Sequence, residues 1–135
     1  MSRISNIAFA ILRFAYGGFF AAISAFSIFS LVQGRGNPFL PELSGIAAQF
    51  QVAMEATGFL VPIMLACFLV GGIALFFHRT APLGIALLAP FVIVIFFYHL
   101  MLTGNWPWGT IWAAGLAILA WRYRRAFVPL WNYRD

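Results

Sequence analysis

Long apolar runs separated by short polar breaks organise this chain. The runs cover residues 7–32, 59–77, 83–102 and 106–121. A bilayer core about 30 Å thick needs about 20 apolar residues in a helix. The first three runs reach or approach that length. The fourth makes about 24 Å, so it must extend to Tyr123, with Arg122 snorkelling to the head groups. The pattern predicts an all-α membrane protein, one domain over residues 1–135. Its four transmembrane helices form a bundle, with spans at about 7–32, 59–77, 83–102 and 106–123. The first run is too long for a cleaved signal peptide, and no small-residue cleavage site follows a short core.

One connection is long, residues 34–57. Its start, "GRGNPFLPELSG", is rich in Gly and Pro, which stop regular structure. Beyond it, Leu43, Ile46, Ala47, Phe50 and Met54 fall near one helical face, with Gln49, Gln51 and Glu55 elsewhere. That spacing predicts a short amphipathic helix over 44–56, lying in the membrane interface.

Composition agrees with the pattern. Hydrophobic residues make up 64% of the chain and charged residues 8%, against about 45–50% and about 25% in soluble domains. Such a chain cannot clothe itself with a water-facing surface. The formal net charge is +5, carried entirely on Arg. Those arginines flank the apolar runs instead of clustering on a soluble face, which argues against nucleic acid. Arg3, His78, Arg79, Arg122, Arg124, Arg125 and Arg134 fall at one end of the expected bundle. Arg35, Glu42 and Glu55 fall at the other. By the positive-inside rule both termini face the cytoplasm, as in a protein of a bacterial inner membrane.

Small residues recur at four-residue spacing: Gly17, Ala21 and Ala25 in the first span, Ala113 and Ala117 in the fourth. This spacing lets helix backbones approach closely, and marks those residues as a packing interface. Pro90, midway along the third span, should kink it and free a carbonyl. Trp106, Trp108, Trp121 and Trp131 read as interfacial anchors.

Candidate chemistry is sparse. The three acidic residues, Glu42, Glu55 and Asp135, lie outside the spans, so no intramembrane carboxylate pair exists and no catalytic residue is assigned. A lone Cys67 makes no disulfide and no Cys-based metal site. His78 and His99 are 21 residues apart, about 30 Å along a helix, too far to share a metal. His99 is a candidate contact for a quinone or lipid, set against a structural role bonding a backbone carbonyl or the Asn105 turn. Arg13, about two turns into the first span, is the second such candidate, set against simple snorkelling. Arg79 and Arg122 are read as lipid head-group contacts.

"EATGFLVP" (55–62) followed by "HRTAPLGIALLAPFVIVIFFYHLML" (78–102) resembles the DoxX-like membrane family. Ala56, Thr57, Gly58, Leu60, Pro62, Arg79, Pro82, Leu83, Leu88, Ala89, Pro90, His99 and Leu100 match its pattern in order, and "WRYRRAF" (121–127) looks like its end. The resemblance covers about residues 50–127. It implies a four-helix membrane bundle with cytoplasmic termini. The family takes its name from a subunit linked to thiosulfate:quinone oxidoreduction. The chain departs from it where relatives carry polar span residues: Leu65 and Phe68 stand in place of a Lys and a Glu, Val94 in place of an Asn, and "SAFSIF" (24–29) in place of a Ser-Gly-x-x-Lys pattern.

Three functions remain. The first is a non-catalytic accessory subunit of a larger membrane complex, held by helix packing and contacts to lipid or partner-held pigment. The second is a quinone- or lipid-binding subunit of a DoxX-type oxidoreductase. The third, a small transporter, fits least, because transport paths need polar groups within the spans. The expected partners are membrane lipids and other integral membrane subunits.

Overall fold

In the computed structural model, residues 3–36 and 43–131 are described. Glu42, Arg134 and Asp135, which entered the charge count above, lie outside them. The described chain is all helical. It runs α1 (Arg3–Val32), α2 (Gly45–Ala56), α3 (Leu60–Phe76) and α4 (Ala81–Tyr98), then a π-helical turn (His99–Thr103). It ends with α5 (Trp106–Arg122), the one-turn α6 (Arg124–Phe127) and a 3-10 turn (Val128–Leu130).

The four long helices run antiparallel in sequence order. Phe14, early in α1, meets Phe76 at the end of α3, with ring centroids 5.7 Å apart. Gly71, late in α3, abuts Gly84, early in α4. His99, just past α4, abuts Gly109, early in α5. Arg122, at the end of α5, lies over the ring of Phe9 in α1. The α1–α3 seam is the most extensive and the α1–α5 seam much narrower. The ring of helices therefore closes most weakly there.

Two helical stretches, Arg3–Val32 and Ala81–Thr103, are long and apolar enough to cross a membrane, and α2 with α3 forms a third if that pair, bent by 89°, is one span. At 17 residues, α3 and α5 are each about 25 Å long. The first span begins at Arg3 and not at Ile7, and α5 stops at Arg122 before chain resumes as α6. Pro90 does not interrupt α4 and points outward.

Thr57, Gly58, Thr80 and Pro82 shape the two turns that flank α3. Gly58 takes φ 72, a conformation open to Gly at no steric cost, and lets the chain bend between α2 and α3. Thr57 serves both sides of that bend. Its hydroxyl donates to the Met54 carbonyl at 2.7 Å and accepts from the Leu60 amide at 3.2 Å. Between α3 and α4, the Thr80 hydroxyl donates to the Ala74 carbonyl at 2.8 Å, and Pro82 opens α4. Proline is well placed there because the first helical N–H groups lack intrahelical partners.

Helix α2 matches the expected 44–56 helix within a residue. Its inward face differs in one respect. Ala47 is buried, and the Phe50 ring lies tilted against Tyr98 with centroids 5.6 Å apart, but Ile46 points outward.

The core is apolar and aromatic. Leu75, Leu88, Leu119 and Val92 are fully enclosed. Phe68 sits edge-on to both Phe20 (4.9 Å) and Phe91 (5.6 Å). Trp112 stacks on Phe19 at 4.0 Å and meets Tyr16 edge-on at 5.2 Å. Buried polar side chains are Ser24, Ser27 and Ser30 of α1. Ser24 donates to the Phe20 carbonyl within its own helix at 2.6 Å, which satisfies a buried hydroxyl without a partner helix.

Glycines set the helix spacing. A Cβ on Gly17 would stand 2.6 Å from the Gly72 carbonyl oxygen, and one on Gly72 would stand 2.7 Å from the Ala21 amide nitrogen. On the other face of α3, a Cβ on Gly84 would stand 2.6 Å from the Gly71 oxygen. The adjacent pair Gly71-Gly72 thus brings α3 against α4 and α1 at once. Of the expected packing stripe, Gly17 is buried and Ala21 and Ala113 half-buried, while Ala25 and Ala117 are exposed.

Candidate functional site

The start of α1 and the end of α5 meet with the α3–α4 turn around a pocket of about 240 Å³. Arg13 and Asn6 line it from α1, His78 from the turn, and Arg122 and Tyr123 from the end of α5. Phe9, Ala10 and Leu119 form its apolar walls. Tyr123 ties the polar groups together. Its hydroxyl lies 2.8 Å from His78 Nδ1 and accepts from Arg13 Nη1 at 3.4 Å.

Aromatic rings steady the two guanidinium groups. Arg13 lies over Phe14 at 5.0 Å and Arg122 over Phe9 at 5.6 Å, each a cation–π contact. Both arginines are half-buried. Among the described residues Glu55 is the sole carboxylate, and it lies in α2, beyond the other ends of α1 and α3. The pocket therefore gathers two permanent positive charges and an imidazole with no counter-charge among the described residues. Chemically, it can hold an anion.

Arg13 and Arg122 lie 109 positions apart in the chain; the fold brings them together with His78, Asn6 and Tyr123. It leaves Arg79 exposed in the turn outside the pocket. Arg124 is turned away too. It lies over Trp121 at 4.6 Å and donates to the Trp121 carbonyl at 3.1 Å.

His99, paired with Arg13 as a candidate for the same quinone or lipid, lies at the opposite end. The two therefore make no joint site. His99 Nδ1 is 3.2 Å from the Thr103 hydroxyl, which also donates to the His99 carbonyl at 3.3 Å and accepts from the Asn105 amide at 3.2 Å. Thr103 thus joins the histidine to the Asn105 turn and pins the π-helical end of α4, where Gly104 adopts φ 72. A side chain that keeps one hydrogen bond to Thr103 should suffice. The expected result for His99→Gln is a thermal midpoint in detergent within about 3 °C of the parent, equivalent to less than about 1 kcal/mol. A loss of folded protein would show that the imidazole ring itself is required.

A second cavity, about 580 Å³, opens between α1 and α5 and is lined by Phe19, Ala22, Ile23, Phe26 and Trp108. None of those side chains but the Trp108 indole carries a polar group. No cluster of three or more His, Cys, Asp or Glu side chains able to hold a metal occurs among the described residues.

Compared with family models, with curated proteins and with solved structures, the chain matches none of them.

Proposed function

We propose that this chain is a four-span integral membrane protein of a bacterial inner membrane, a non-catalytic accessory subunit that works by packing. The observation that carries the reading is where bulk and polarity lie. Large apolar side chains are exposed along all four long helices, for example Ile11, Phe29, Ile63, Ile73, Ile93, Phe97, Ile111 and Ile118. The enclosed core holds no charged side chain among the described residues. Intramembrane chemistry or transport needs such groups.

In this reading α3 and α5 are the second and fourth spans, and their shortfall in length is met by snorkelling and local bilayer thinning. α2 is the interfacial helix, and the Arg-rich end with both termini faces the cytoplasm. The DoxX-like resemblance is part of the same proposal, with a qualification. Leu65 and Phe68, which stand where relatives carry polar residues, are both buried in the core, whereas Val94 faces outward. In this reading, two of the positions that are polar in that family carry packing side chains here.

The test is extraction in a mild detergent followed by mass spectrometry of whatever co-purifies. Integral membrane subunits should accompany the parent protein. Ala117→Leu, on an exposed face of α5, should weaken that association at least several-fold while leaving the thermal midpoint unchanged. A protein that purifies alone overturns the accessory-subunit reading; if His99→Gln abolishes a quinone-dependent turnover of the complex and Ala117→Leu is silent, the redox-subunit reading takes its place.

A further inference from the structure

We propose that the pocket between the start of α1 and the end of α5 is a binding site for a phosphate group, carried by a membrane lipid or by a soluble phosphate. Three observations converge on it. The first is charge: Arg13, Arg122 and His78 come from three separate parts of the chain to one cavity, and the sole described carboxylate is at the far end of the molecule. The second is donor geometry. A guanidinium offers five N–H donors in a fixed fork that matches phosphate oxygens. Arg13 gives one of them to Tyr123, and Arg122 gives none to a protein acceptor among the described residues. The donors that remain are oriented without being spent, because each guanidinium is held against a ring.

The third observation is size and wall chemistry. At about 240 Å³ the pocket falls below the roughly 300–1,000 Å³ of sites that enclose a whole drug-sized ligand. It suits an anionic head rather than an extended ring system. Phe9 and Leu119 beside the charges offer an apolar wall to the glycerol and first methylenes of a lipid. Arg79 and Arg124 give the internal comparison. They carry the same charge at the same end of the molecule, but outside the cavity. Generic attraction to an anionic surface would not distinguish Arg13 and Arg122 from Arg79 and Arg124; a built site uses Arg13 and Arg122.

The experiment uses the full chain in a non-ionic detergent and reads bound lipid by native mass spectrometry. Dioleoyl phosphatidic acid and dioleoyl phosphatidylcholine are offered in equal amounts. The parent protein should retain one phosphatidic acid in preference to phosphatidylcholine. Arg13→Gln with Arg122→Gln should cut retention by about tenfold or more, the scale expected on losing charge-assisted hydrogen bonds. Arg79→Gln with Arg124→Gln should cut it less than about twofold.

Displacement of the lipid by millimolar inorganic phosphate would identify a soluble phosphate as the natural source. Resistance to it would identify the lipid. No preference in the parent protein, or equal losses in the two double variants, overturns the proposal. The parent measurement stands even if a variant misfolds. The inference shares only the membrane setting with the accessory-subunit reading, so a protein that purifies without partners still reports on the pocket.

Discussion

Gly72→Ala should destabilise this protein by about 3 kcal/mol or more, while Gly18→Ala should leave it as stable or more so. Each substitution adds one methyl group to a helical glycine, and their surroundings are opposite. At Gly72 the new Cβ would lie 2.7 Å from the Ala21 nitrogen, 2.8 Å from the Gly17 oxygen and 3.1 Å from the Ala21 Cα. All three are backbone atoms, so no rotamer change relieves the clash. Helix α1 must move off α3 along the most extensive seam of the molecule. Overpacking a core by a methylene costs about 1–3 kcal/mol even when side chains can yield. A backbone collision belongs at or above the top of that range, against a total of about 5–15 kcal/mol for a typical domain. At Gly18 the nearest atom would be Phe76 Cζ at 3.8 Å, an ordinary contact. Replacing a mid-helix Gly there recovers up to about 0.5–1 kcal/mol of backbone entropy. Thermal unfolding in detergent separates the two. Equal midpoints for both variants would mean that α1 and α3 do not approach as closely as described.

That contrast also shows where the sequence was legible. The ends of the apolar runs predicted the long helices to within a few residues, because the breaks are made by residues with one obvious use: Gly58 and Gly104 at positive φ, Pro82 and Pro107 in first turns. Which faces meet was not legible. α3 and α4 are apolar nearly all round, and a helix without a polar face carries no periodic signal for its inward side. Gly71, Gly72, Gly84 and Gly109 were therefore missed, although a search for adjacent small residues in the spans would have found the first two.

The four-residue stripe does not follow a single seam within the chain, for a geometric reason. Each four-residue step turns an α-helix by about 40°, so Ala25 has rotated about 80° from Gly17 and leaves the seam. The buried line of α1 instead steps from Gly17 to Phe20, Ser24, Ser27 and Ser30. The anion pocket was legible only in pieces. Arg13, His78 and Arg122 each stood out as a charge beside an apolar run. It takes the antiparallel return of α5 to put Arg122 beside Arg13, and no spacing along the chain encodes that.

The second large effect concerns the opposite face of α3. Leu88→Ala should destabilise by about 2–5 kcal/mol, the range for removing a fully buried leucine side chain, because Leu88 is fully enclosed. Gly71→Ala should also destabilise, but through a different kind of neighbour. Its Cβ would meet Leu88 Cγ at 2.9 Å and Leu88 Cδ2 at 3.2 Å, with the Gly84 oxygen third at 3.3 Å. Here the obstacle is chiefly a side chain. With Leu88 truncated, the methyl on Gly71 enters space the leucine has vacated, and part of the cavity is refilled. The double variant should therefore be more stable than the sum of the two single losses predicts, by about 1–2 kcal/mol, within the range for residues in direct contact. The same cycle between Gly72→Ala and Leu88→Ala should be additive within about 0.5 kcal/mol, because nothing on the Gly72 side is relieved by losing Leu88. Matching coupling energies in the two cycles would mean that Gly71 and Gly72 do not serve separate seams, and the account of α3 as the helix wedged between α1 and α4 would fail with them.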